Sequence, residues 1–258
     1  MERTDEPLSF MNLAGWILAP LKTLLAILHT ALCSVTGLVA MALNANNGDW
    51  VMWRVGRQMW SRPLLRWILG AKLDLEVHPE AQALADQRLG VVLLANHTSL
   101  LDINAAFAAS PTPIVFLSKA SVRKVPLLGK LNELAGTVFV ERGNRASSEK
   151  AVNQLTDTLK LGRSVLVFPE GTRSADGTLL PFKKGAFHLA QAAGAPIVPM
   201  HITGTWERLR PGALLIAPSR KAIRVKIGAP LQQTAEDNPA TLLAQAERAV
   251  EELNDVPA

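Results

Sequence analysis

The sequence predicts an α/β fold, in which a central mixed, largely parallel sheet is flanked by helices and preceded by an N-terminal membrane-associating helical segment. Three observations lead there. Beyond residue 72, short apolar runs alternate with stretches of helical periodicity. Several of those runs are continuous rather than alternating, as strands are when helices cover both sheet faces. Ahead of them lies an uncharged stretch apolar all round, which needs either a large core or lipid about it. With 258 residues, 48% of them apolar, the chain can bury one large core, and no shift of composition after about residue 75 marks another. The expected division is 1–70 for membrane-associating helices and 71–258 for the globular domain.

Taken in order, the elements begin with Thr23 to Leu43, which carries no formal charge for 21 residues. That is about the length of a bilayer-crossing helix. The apolar LAGWILAPL before it is set off by Lys22 and interrupted by Pro20. One spanning helix or a broken pair dipping into one leaflet both fit. The first ten residues, MERTDEPLSF, are more acidic than basic and lead to no small-residue cleavage site, so no removed signal peptide is expected. After the polar NANNGD, the tryptophans Trp50, Trp53, Trp60 and Trp67 fall on one arc of roughly 100° if a 3.6-residue period survives Pro63. Arg54, Arg57, Arg62, Arg66 and Lys72 accompany them. Such a mixture suits a headgroup interface, and equally a core stripe edged by solvated arginines. Only Arg3 and Lys22 precede or punctuate the apolar stretch, so the positive-inside bias places the globular part on the cytoplasmic side.

Strands are expected at 73–78, 90–95, 113–117, 137–140, 164–168, 196–201 and 223–227, and helices at about 99–109, 146–160, 184–193 and 237–252. No GxGxxG follows the first strand and no GxxxxGK[ST] occurs, so neither a dinucleotide site nor a P-loop is indicated. Cys33, the single cysteine, excludes an intrachain disulfide and reads as a small buried hydrophobe. A formal charge of +5 suits an anionic substrate or an anionic surface. Nucleic acid is not expected as a partner, because no recognition helix or RNA-binding strand signature accompanies the basic residues.

In α/β folds ligands collect at the carboxyl ends of strands. Four polar signals stand there: NHTSLLD after 90–95, ERGNR after 137–140, PEGTRS after 164–168 and HITGT after 196–201. On one helix His97 and Asp102 would point about 140° apart, so they meet only if His97 lies in the preceding loop, with Ser99 as N-cap and Asp102 at N3. The same spacing is that of a capping box, in which Asp102 merely satisfies a terminal amide. As a pair, Asp102 would fix the imidazole tautomer and leave the other nitrogen as a base. No GxSxG elbow supplies a nucleophile, so the activated hydroxyl would be the substrate's, as in direct acyl transfer to an alcohol. A metal is the weaker reading, since no neighbouring histidine completes a ligand set. In the second cluster Glu170 offers an acceptor to a substrate hydroxyl, Gly171 a close backbone approach, Thr172 a hydroxyl and Arg173 a planar fork for phosphate. An ordinary charged turn fits as well. Arg142 is a surface charge or a second phosphate ligand, and Lys119, Lys183 and Lys184 enlarge the positive field or are simply solvated.

Together these residues resemble the glycerophospholipid acyltransferase family, and within it the bacterial 1-acyl-sn-glycerol-3-phosphate acyltransferases. Its NHxSxxD block is matched by Asn96, His97, Ser99 and Asp102, and its GxxFxxR block by Gly136, Phe139 and Arg142. FPEGTRS stands complete from Phe168 to Ser174, and the final VP is Val198 and Pro199. The resemblance covers roughly residues 70 to 230. It implies His97 as general base and Asp102 as its orienting partner. It implies further that Arg142, the loop Glu170, Gly171, Thr172, Arg173, and Lys119 hold the acceptor's glycerol phosphate. Acyl-CoA or acyl-acyl carrier protein would be the donor, a lysophospholipid the acceptor and membrane lipid the surroundings, with no cofactor and no metal. The reaction implied is transfer to the sn-2 hydroxyl of 1-acyl-sn-glycerol 3-phosphate, giving phosphatidate, at a bacterial inner membrane. Lyso-ornithine lipid, another lysophospholipid or glycerol 3-phosphate are alternative acceptors; a hydrolase, or an inactive lipid-binding module, are readings of other classes.

Overall fold

The structure, a computed structural model, describes residues 10–43, 48–141, 145–231 and 238–254. Seven strands form one sheet in the order β1-β7-β6-β2-β5-β3-β4. They are β1 (Leu73–Val77), β2 (Val92–Ala95), β3 (Ile114–Lys119), β4 (Val138–Val140), β5 (Ser164–Val167), β6 (Ile197–Thr203) and β7 (Ile223–Ile227). Every pairing is parallel except β6 with β7, so β6, β2, β5, β3 and β4 run one way and β7 and β1 the other. The sheet is therefore mixed and largely parallel, as expected.

Central β2 shows why its run is continuous. Leu93 and Ala95 point into one core, with Phe107, Leu166 and Ile202, whereas Val92 and Leu94 point into the other, with Leu155, Phe187 and Ile197. With period-2 geometry and helices on both faces, every position must be apolar. Helices α4 (Leu101–Ala109) and α3 (Pro79–Asp86) cover the first face; α6 (Arg145–Lys160), α7 (Gly185–Ala193) and α8 (Pro239–Glu252) cover the second. Two short helices, α3 and α5 (Leu128–Leu134), lie where no periodic signal predicts them.

N-terminally, α1 (Phe10–Leu43) runs unbroken through Pro20 as one helix of 34 residues. Hydroxyls of Thr23, Thr30 and Ser34 donate back to carbonyls four residues earlier, each at 2.8 Å, so they add no unsatisfied polar group. Ala19, Ala26, Cys33 and Met41 are buried against the body, while Ile17, Leu21, Leu24, Leu28, Leu32 and Val39 on the opposite side are exposed. The segment Gly15–Leu43 is long and apolar enough to cross a membrane.

After the short α2 (Gly48–Trp50), residues Val51–Ser61 and Leu64–Ile68 wind more widely, with i→i−5 hydrogen bonds such as Arg62 N–H to Arg57 O. This overturns the expected tryptophan arc, because the angle per residue is no longer 100°. Trp67 is 76% exposed, but Trp60 turns inward, edge-on to Phe107 at 5.9 Å and donating Nε1–H to Thr30 Oγ1 at 3.0 Å. Arg57 and Arg62 both donate Nε–H to Ala108 O, at 3.3 and 3.2 Å, at the carbonyl end of α4. Burial, with Arg62 beside it, pushes the Arg57 guanidinium down to about 10. Leu64, Leu65 and Leu69 share the core of the sheet's first face.

Candidate active site

The strand order brings the site together. β2 lies between β5 and β6, parallel to both, so the loops leaving the carboxyl ends of all three open on one edge. From β2 comes Asn96, whose amide ties the turn to β6: Nδ2–H donates to Ile202 O at 2.9 Å and Oδ1 accepts from Ile202 N–H at 2.7 Å. His97 follows, outside the helix. Its ring stacks on Phe168, just past the end of β5, centroids 3.9 Å apart and planes inclined 16°.

Nδ1 of His97 lies 3.0 Å from Asp102 Oδ2. That oxygen also accepts from Thr98 N–H at 2.7 Å and Ser99 N–H at 2.8 Å, and Oδ1 accepts from the Thr205 hydroxyl at 2.5 Å. Asp102 is wholly buried. The capping and pairing readings thus hold together, since one carboxylate receives both the helix-start amides and the imidazole. α4 begins one residue later than expected: its N-cap is Leu100, and Asp102 is N2. Ser99 still accepts from Leu101 N–H at 3.2 Å and donates to Leu209 O at 2.7 Å, so its hydroxyl serves the backbone. With Oδ2 as acceptor, Nδ1 carries the proton and Nε2 carries the lone pair.

Glu170 is 2% exposed, and both its oxygens are engaged. His97 N–H donates to Oε1 at 2.6 Å and Leu180 N–H to Oε2 at 3.1 Å. At the other end of the loop, Ser174 N–H donates to His97 O at 2.8 Å. The histidine's own peptide is therefore clamped by the first and last residues of EGTRS. Burial raises the Glu170 carboxyl to about 7, the two amides opposing the shift and the neighbouring Asp102 adding to it. Gly171 has φ +70°, and a Cβ there would stand 2.7 Å from Lys183 Nζ, which places that ammonium over the turn. Thr172 is exposed and Arg173 half-exposed; neither Arg173 nor the exposed Lys119, at the end of β3, pairs with a carboxylate among the described residues. β3 is two strands from β2, about 10 Å across the sheet. Arg142 lies outside the described residues. A cavity of about 440 Å³ is lined by the residues on either side of His97, Asn96 and Thr98, with Gly177, His201 and Trp206 among others.

Thr205 belongs to HITGT, a polar strand end in the sequence, but nothing in that sequence singles it out. Its link to Asp102 joins residues 103 apart. Only the β2–β6 pairing brings them together.

A family model described as acyltransferase matches residues 75–203, half of the chain, from β1 to the end of β6. The chain belongs to the acyltransferase family. Similar curated members of the family include the 1-acyl-sn-glycerol-3-phosphate acyltransferase of Saccharomyces cerevisiae, 35% identical over 206 residues and matched over 78% of this chain and 66% of that one. The enzymes of that name from Cocos nucifera (34%, with 66% and 53% covered) and Escherichia coli K12 (33%, with 55% and 57%) are also similar. The chain spans between about half and two thirds of these relatives' length. Among solved structures, the 1-acyl-sn-glycerophosphate acyltransferase PlsC of Thermotoga maritima shares the acyltransferase fold, with a TM-score of 0.74 and 24% identity over 94% of this chain and 98% of that one.

Proposed function

We propose that the protein transfers an acyl group from acyl-CoA or acyl-acyl carrier protein to the sn-2 hydroxyl of 1-acyl-sn-glycerol 3-phosphate, giving phosphatidate. The observation that carries this is the His97–Asp102 contact, fastened to the FPEGTRS loop through His97's own amide and carbonyl. Nε2 of His97 takes the acceptor's hydroxyl proton as its oxygen attacks the thioester carbonyl. The C–S bond then breaks, and the thiolate leaves with that proton as a thiol. Asp102 keeps Nε2 turned outward and favours the imidazolium that forms. In this reading Arg142, Arg173 and Lys119, with Lys183, supply positive charge for the acceptor's phosphate, Gly171 and Thr172 line it, and Glu170 sets the loop's position.

The described geometry supports attachment to one leaflet; in this reading the positive-inside bias sets the catalytic part, residues 71–258, on the cytoplasmic face, and the family resemblance makes the membrane a bacterial inner membrane. Contacts to the body run along α1 from Gly15, against Pro218, to Gly37, against Leu131, and on to buried Met41, a stretch of about 40 Å. A helix so fastened cannot stand across a bilayer without drawing polar strand ends into hydrocarbon. Lying flat, its outward leucines enter one leaflet and residues 1–70 serve as the anchor.

Thiol release in liposomes tests the reaction, with palmitoyl-CoA or the carrier-protein thioester and, in parallel, lysophosphatidate, glycerol 3-phosphate, lyso-ornithine lipid or no acceptor. Release should require lysophosphatidate and fall by about a thousandfold in a folded His97→Ala variant. Release without any acceptor would make the protein a hydrolase, and dependence on another acceptor would replace the substrate.

A further inference from the structure

We propose that the loop 210–221, RPGALLIAPSRK, is a second lipid-contacting element, its Leu214 and Leu215 entering the surface of an anionic bilayer beside α1. Leu214 is 88% exposed and Leu215 40%, at the tip of a turn formed by Pro211 and Gly212, the latter at φ +82°. A lone exposed leucine needs no explanation. These two are continuous with a much larger apolar face. Ile216, next in sequence, is buried in the core with Ala26 and donates its N–H to Thr23 Oγ1 at 3.0 Å. Pro218 packs so closely on α1 that a Cβ at Gly15 would meet its Cβ at 2.6 Å. The loop is thus pinned along the first half of α1. At 100° per residue, Thr23 lies within about 40° of Trp16 and Ile27 around the helix. Those two are 47% and 60% exposed and form the near edge of α1's outward face, which the loop leucines extend.

Charge flanks the tip on both sides. Arg210 stands 4.1 Å over the Trp206 ring, and Arg220 and Lys221 follow the apolar run, Lys221 pairing with Glu207. Cations on either side of a leucine pair in the sequence match the layering of an anionic interface, with phosphate outside and acyl chain within.

The neck of the loop is rigid, because buried Arg208 donates to Gly204 O at 2.8 Å and Ser219 O at 3.0 Å, and Ala217 N–H closes on Arg208 O at 2.7 Å. From that neck the Thr205 hydroxyl reaches Asp102, and Leu209 O receives the Ser99 hydroxyl. Seating the leucines therefore fixes the height of His97 above the lipid. The proposal rests on membrane association through α1 and is independent of the transfer chemistry.

The test uses the full chain with its one cysteine removed by Cys33→Ala and an environment-sensitive fluorophore on Leu214→Cys. Leu28→Cys on the outward face of α1 and Leu161→Cys after α6, 76% exposed, are controls. On vesicles of phosphatidylcholine with phosphatidylglycerol, positions 214 and 28 should shift to the blue and be quenched by brominated acyl chains, while 161 should not. The 214 shift should shrink on purely zwitterionic vesicles. A shift at 28 without one at 214 would overturn the proposal, and so would the absence of both. A shift at 214 that grew with protein concentration in lipid-free buffer would assign the leucines to a second copy of the chain instead.

Discussion

At the level of single residues, the site depends on oxygens that the substrate would never touch. Replacing Thr205 by Val removes a donor from fully buried Asp102, a loss of about 1–3 kcal/mol in orienting the pair. kcat should fall more than KM changes, the pH profile of kcat/KM should move, and Thr205→Ser should restore both. A profile left in place would make Thr205 a packing residue only. Glu170 gives a second expectation. Its folded pKa of about 7 exceeds the ordinary 4.5, so the folded state holds an extra proton between those values. The stability this lends is complete below about pH 4.5 and lost as pH rises through 7, by up to about 3 kcal/mol. Unfolding followed across that range should show the decline in the natural protein and a flatter curve in Glu170→Gln. His97 and Asp102 were legible as a pair because their spacing is local. Glu170's engagement with the His97 amide was not, because a backbone donor carries no mark in the sequence.

Among the elements, the apolar runs disclosed all seven strands, since burial on both faces leaves little choice of residue. α3 escaped because it is announced by a cap rather than a stripe: His78 Nδ1 accepts from Glu80 N–H at 3.3 Å and Pro79 opens the helix. The wide winding from Val51 escaped because no residue type encodes an i→i−5 bond. One turn after β6 is set by backbone conformation and space together. Gly204 has φ +81°, and a Cβ would lie 2.0 Å from Ala222 O. Gly204→Ala should therefore cost at least about 2 kcal/mol in thermal unfolding and displace Thr205 from Asp102, lowering turnover even where the protein still folds. Unchanged stability would show that the turn yields.

Across the whole molecule, the proposed attachment makes the outward face of α1 govern location. Leu28→Asp with Leu32→Asp places two charges where the leucines are 55% and 65% exposed, a penalty of about 3 kcal/mol each near hydrocarbon. The doubly substituted protein should leave the membrane fraction on washing, whereas Leu161→Asp should remain; retention of both would move the anchor elsewhere. The sheet adds a constraint on timing. Each residue of β1 pairs with one 150 positions later in β7, which among the described residues is β1's only neighbour in the sheet. At about 5–20 residues per second, a nascent chain waits roughly 8–30 s between making β1 and making its mate. α1 emerges well before that. In the proposed attachment α1 can therefore enter lipid before β7 has been made, and the sheet would then close on the membrane rather than before reaching it.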